Sequence, residues 1–182
     1  MRHRQAHFAI TRFKEVAPDV LVPLTYDYWK KLILYFVLRS TAFRVDCWST
    51  EEDAISTVKP FTSHVHVQNN DNQNLVMSVS KELINSMPRW TNSKSIIPSG
   101  SDMVFLSGEI TNQFVNALIY DCFDRYGRVK WFSIFFMDNG KIIFSTEHYG
   151  TEFHAAGVDD NDIAFIRSIL PEDAILHFLI EN

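Results

Sequence analysis

The chain has 182 residues, of which 46% are hydrophobic and 14% aromatic, with a formal net charge of −5. That length suits one domain with a substantial core, and that composition excludes a disordered chain. The charge is uneven: residues 1–91 carry 11 basic and 9 acidic side chains, residues 92–182 carry 6 and 13. The acidic half disfavours nucleic acid and favours a cationic partner.

No run approaches the ~18 apolar residues of a membrane span. The N-terminus, with Arg2 and Arg4, has neither the apolar stretch nor the cleavage site of a signal peptide, so a cytoplasmic chain without a membrane partner is expected. Cys47 and Cys122, both placed inside expected strands, have no metal-type spacing and read as buried free thiols of a reducing compartment.

In chain order, Phe8 to Phe13 alternates apolar and polar residues, as an edge strand would. Thr25 can cap a helix over 26–39, in which Tyr28, Leu32, Tyr35 and Phe36 share a face. Residues 41–48 alternate again, with Phe43, Val45 and Cys47 on one side. Ser49 to Asp53 has the composition of a helix start, stopped by Pro60. Residues 63–68 read as a short strand with His64 and His66 on one face, 69–74 as a turn, and 74–87 as a helix ended by Pro88. Residues 91–102 are polar and turn-rich, the expected flexible loop.

Residues 115–146 are the expected centre of the fold. Apolar runs at 115–123, 128–137 and 141–146 are separated by Asp124-Arg125-Tyr126-Gly127 and Asp138-Asn139-Gly140. Asn-Gly marks a hairpin, because both residues accept positive φ. The pattern predicts an antiparallel meander, with a fourth strand near 151–156. Asp159 to Asp162 then starts a helix to Leu170, and Ala174 to Ile180 reads as a final strand buried in the sheet. The expected fold is a single α+β domain: an antiparallel or mixed sheet centred on the 115–146 meander, packed by about three helices near 26–39, 74–87 and 159–170.

The chemistry is less openly stated. His64-x-His66 places two imidazoles on one strand face, but a metal would need further ligands from Glu147, His148 or His154, so a structural pair is the preferred reading. Glu147-His148-Tyr149-Gly150, followed by Glu152 and His154, is the most pointed cluster. It combines acid–base side chains at a strand end, without a recognisable nucleophile motif. There is no phosphate-binding glycine loop and no calcium-loop pattern in Asp159–Asp162, so no cofactor or metal is expected. Trp90, beside the polar loop, has the composition of an interface anchor.

The segment Val22-Pro23-Leu24-Thr25-Tyr26 followed by Trp29 resembles the opening of several bacterial immunity proteins, those of contact-dependent growth inhibition and related polymorphic toxin systems. The aromatic segments Ala117–Tyr120, Trp131-Phe132 and Gly140–Phe144 are similar in style to the meander of that group. The resemblance implies a non-enzymatic protein that binds a cognate toxin domain, of a basic nuclease type, and occludes its active site. Glu147, His148, Glu152, Asp159, Asp160 and Asp162 would then face the toxin, with Tyr149 and Trp90 as aromatic anchors. Two readings compete with it. One is a small enzyme or ligand-binding domain using His64, His66, Glu147, His148 and His154. The other is a protein that dimerises through its aromatic sheet.

Overall fold

The computed structural model describes residues 4–68 and 102–180. The strands are β1 (Arg4–Ala9), β2 (Phe13–Ala17), β3 (Val20–Pro23), β4 (Ala42–Trp48), β5 (His64–Gln68), β6 (Met103–Glu109), β7 (Ser133–Asp138), β8 (Lys141–Glu147), β9 (Glu152–Val158) and β10 (Ile175–Ile180). Among the described residues the helices are α1 (Asp27–Val37), α2 (Glu52–Val58), α3 (Asn112–Tyr120) and α4 (Asp160–Ile169), with a 3₁₀ turn over Lys59–Phe61. Eight strands form one antiparallel sheet in the order β10-β1-β9-β8-β7-β4-β6-β5, while β2 and β3 pair as a separate ribbon. The expected α+β class is what the chain adopts.

Strand alternation divides this sheet into two faces. Phe8, Phe43, Val45, Leu106, Ile134, Phe136, Phe144 and Phe153 point to one side and are fully buried there. All four helices pack on that side. From α1, Phe36 stacks on Phe144 at 4.3 Å and Tyr28 meets Phe153 edge-on at 5.7 Å. From α3, Phe114 stacks on Phe43 at 3.7 Å. From α4, Ile166 enters the same core and Phe165 stacks on Tyr35 at 3.8 Å. The α2 backbone accepts a 3.1 Å hydrogen bond from Trp131 Nε1 at Ala54. Among the described residues, no helix covers the other face, and none is long and apolar enough to cross a membrane.

Local signals place several elements where expected. Thr25 Oγ1 accepts from the Asp27 amide, and α1 buries Tyr28, Trp29, Leu32, Ile33, Phe36 and Val37 along one stripe. Asp159 and Asp162 close a reciprocal capping box at the start of α4. Asn139 and Gly140 take the positive φ that the β7–β8 hairpin needs.

Other expectations are corrected. Residues 112–120 are helical, not the first strand of a meander. Thr111 caps them by accepting from the Phe114 amide, and Phe114, Leu118 and Ile119 fall on a helical stripe. A short apolar run carries strand and helix equally, and here the cap decides. The next expected strand begins only at Ser133, after a turn in which Asp124 Oδ1 accepts from the amides of Tyr126 and Arg128. Cys122 therefore lies in a connection rather than a strand; both cysteines are free and buried. The opening strand is Arg4–Ala9 and runs between β10 and β9, not at an edge. The final strand is itself an edge, so β10 is only partly buried. Residues 59–61 continue α2 as a 3₁₀ turn through Pro60 instead of breaking it. The helix expected at 74–87, Trp90 and all of the 91–102 loop except Asp102 lie outside the described residues.

Candidate functional site

Among the described residues, the β8–β9 connection is the one turn with three consecutive positive-φ residues. His148, Tyr149 and Gly150 are consecutive left-handed residues, with φ of 49°, 59° and 78°. Two non-glycine residues in that region cost free energy and persist only where the surroundings hold them. Here they are held from several directions. The Gly150 and Thr151 amides both donate to Glu147 O at 3.1 Å, and the Tyr149 amide donates to Phe132 O at 3.1 Å. From α1 and the residue before it, Tyr28 OH donates to Gly150 O and Tyr26 OH to Tyr149 O, each at 3.0 Å. Trp29 lies so close beneath Gly150 that a Cβ there would sit 2.8 Å from the indole. The Tyr26-x-x-Trp29 opening and the Glu147–Gly150 turn, far apart in sequence, are therefore one structural unit.

The turn faces two ways. Tyr149 points to the side of α2: its hydroxyl donates to Glu51 Oε1 at 2.8 Å and the Arg128 guanidinium lies 3.7 Å over its ring. Glu51 also accepts from the Trp48 amide, and Arg128 bonds Asp124 at 3.1 Å. Burial pushes the Tyr149 phenol well above its ordinary pKa. A cavity of about 460 Å³ adjoins this network, lined by Glu51, Asp53, Asp124, Arg128 and Lys130 among others. Several of its charges are already paired: Lys130 bridges Asp121 at 2.6 Å and Asp53 at 3.0 Å, and Arg128 pairs with Asp124. Tyr149 is thus a tethered, half-buried ring.

Glu147, His148 and Glu152 belong to the polar face of the sheet. Glu147 and Glu152 are directly opposed across β8 and β9. His148 Nδ1 lies 3.3 Å from Glu152 Oε2, close enough for an ion pair but off the line of a well-formed hydrogen bond. The Glu152 carboxylate raises the His148 pKa against the effect of burial. Burial raises Glu147. Burial also pushes Glu152 upward, but His148 and the charge of His7 outweigh it and bring it below its ordinary value. Two opposed carboxylates thus hold opposite proton affinities.

The polar face extends beyond the residues singled out from sequence. On β4, Arg44 bonds Asp46 at 3.0 Å and stacks 4.1 Å over Phe135. Asp46 is 7% exposed, and burial pushes its carboxyl up to about 6. At the other end, His177, His7 and His154 stand opposite one another on β10, β1 and β9, and His154 also contacts Gln5 at 3.0 Å. Arg44 and Asp46 flank Val45, and His7 interrupts an apolar run. Period-two alternation was the signal that put them on this face.

The other candidates lie elsewhere. His64 and His66 sit exposed on β5, five strands from β9, roughly 24 Å away at a spacing of ~4.8 Å. They do not converge with His148, His154 or Glu147. Asp159, Asp160 and Asp162 lie beyond the far end of β9, about 20 Å from Glu152 by strand rise. Asp159 accepts from the Asn161 and Asp162 amides, and Asp162 is buried against Tyr35 OH and Arg39. Asp160, exposed, pairs with Arg4 at 2.5 Å. The acidic residues therefore form two separate places, one of them occupied with ending α4. Among the described residues, no group of three or more His, Cys, Asp or Glu side chains is placed to hold a metal ion.

No family model matches the chain, and no match to it is found among curated proteins or solved structures.

Proposed function

We propose that this chain is an inhibitory binding protein of the immunity class: it holds a toxin domain against the polar face around Glu147–Glu152 and occludes the toxin's active site without turnover. The observation that carries this reading is the over-determined turn. Three successive left-handed residues, fixed by Tyr26, Tyr28 and Trp29, present Glu147, His148 and Glu152 in one arrangement before any partner arrives. Such pre-organisation lowers the entropy lost on association. Asp46, Glu147 and Glu152 outnumber Arg44 on this face, which suits a cationic partner steered by charge. The resemblance of the Val22–Trp29 opening to immunity proteins points the same way, since that opening is what supports the turn.

The test is co-expression with the protein encoded directly upstream, followed by affinity capture. Stoichiometric recovery of a toxic domain is the expected result. Association by Glu147→Lys/Glu152→Lys should then be about tenfold slower and less salt-dependent. Recovery of the chain alone, with a harmless neighbour, would overturn the proposal, and unchanged kinetics in the double variant would remove this face from it. A second reading, a small acid–base enzyme, draws on the opposite proton affinities of Glu147 and Glu152. It loses His64 and His66, which lie at the far edge of the sheet.

A further inference from the structure

The three imidazoles at the β10 end of the polar face take no part in the proposed toxin contact. His7 is half-buried on β1, directly opposite His177 on one side and His154 on the other. Directly opposed residues on antiparallel strands have Cβ atoms only ~5 Å apart, so charge on any two of these rings is felt strongly. Among the described residues, the acidic group that faces His7 is Glu152, on β9. Its carboxylate is already engaged by His148, and Glu147 opposite it on β8 shares that same histidine charge. On β1 the neighbour is the uncharged Gln5, and on β8 Ser145 stands opposite His154. On β10 itself, Ile175 and Leu179 flank His177.

Of the three strands in the row, β10 is the one least able to resist such repulsion. It pairs with β1 alone. Its core contribution is Leu176 and Phe178, which are only partly buried, with Arg167 of α4 over the Phe178 ring. Just before the strand, Asp173 is tied to Thr11 and to the Arg12 amide, which clamps the 173 end. By contrast, β7 and β8 have strands on both sides, and Phe36 of α1 stacks on Phe144 of β8.

We propose that the His177–His7–His154 row makes β10 an acid-released edge strand: below about pH 6, where imidazoles become charged, β10 loosens from β1 while the helix-backed body of the sheet stays folded. Burial, the largest influence on His7, together with the facing His177, holds its proton affinity below that of a free imidazole, against the pull of Glu152. A histidine with a lowered folded pKa contributes stability above its unfolded value, and that contribution is lost as the pH falls toward the folded value. Release exposes the edge of β1 and frees Leu176 and Phe178.

Hydrogen exchange at pH 7.5 and 5.5, corrected for the intrinsic pH dependence of exchange, tests this. Protection of the 175–180 amides should fall tenfold or more relative to the 133–138 amides. His7→Gln, which keeps a polar side chain without a titrating ring, should abolish most of the difference. Should that variant fail to fold, the exposed His177→Gln carries the same test. Parallel loss in both strands, no loss in β10, or an undiminished loss in the folded variant would each overturn the proposal.

Discussion

The two faces of the sheet come from the same strands at alternate positions, yet they are held together differently. On the helix side, Phe36, Phe144, Phe136 and Phe153 contact one another as stacked or tilted rings. On the polar side, cohesion runs through pairs of unlike groups: Arg44 with Asp46 and Phe135, His148 with Glu152, His154 with Gln5. Apolar packing changes little with pH, whereas the Arg44–Asp46 and His148–Glu152 pairs each depend on a proton. The first face therefore sets how stable the domain is, and the second how that stability varies with pH.

The largest expected effect comes from removing a ring on the helix side. Phe144→Ala should cost about 3–5 kcal/mol of unfolding free energy by urea titration, because the ring is fully buried among other rings. Phe135→Ala, across the sheet and only part-buried, should cost roughly 1–2 kcal/mol. Equal losses would remove the distinction between the faces.

Next comes the proton on Asp46. Its folded pKa, about 6, lies above the ordinary 3.8, so the folded state binds this proton more tightly than the unfolded state does. The resulting stability is present at low pH and is lost as the pH rises through the window from about 4 to 6. The shift corresponds to roughly 3 kcal/mol. Asp46→Asn should therefore gain on the parent by up to that amount between pH 4 and pH 7, read from unfolding midpoints at each pH. A difference that stays constant over the window would show that Asp46 titrates normally. The sign is opposite to that of His7, so acid tightens the β4 region while it loosens β10.

The smallest effect is a gain. Thr146 is 1% exposed on the apolar face and its hydroxyl has no hydrogen-bond partner among the described residues. Thr146→Val should stabilise the protein by about 1 kcal/mol, measured by thermal or urea unfolding. A loss would mean that the hydroxyl is satisfied in solution.

Much of the fold was legible wherever a local signal was sufficient. The stripe of α1, the capping aspartates of α4, the alternation of β4 and the Asn139-Gly140 hairpin each follow from side-chain spacing or from a turn that only certain residues adopt. The segment 112–120 misled because FVNALIY is apolar under either period. Strand β6 carries no clear period of its own, its apolar start MVFL giving way to Ser107-Gly108. Of the site, the sequence pointed to the 147–152 cluster but not to its support.

The amino-acid sequence by itself determined the class of the domain, the individual helices and hairpins with strong local signals, and a polar turn at Glu147–Gly150. These depend on interactions between near neighbours. Only the tertiary structure decided that β1 sits between β9 and β10, that Trp29 packs beneath Gly150, that Asp162 faces inward to Arg39, and that His7 meets His177 and His154. Those relations join residues more than a hundred positions apart. They follow from which apolar faces can be buried together, and no local period records that.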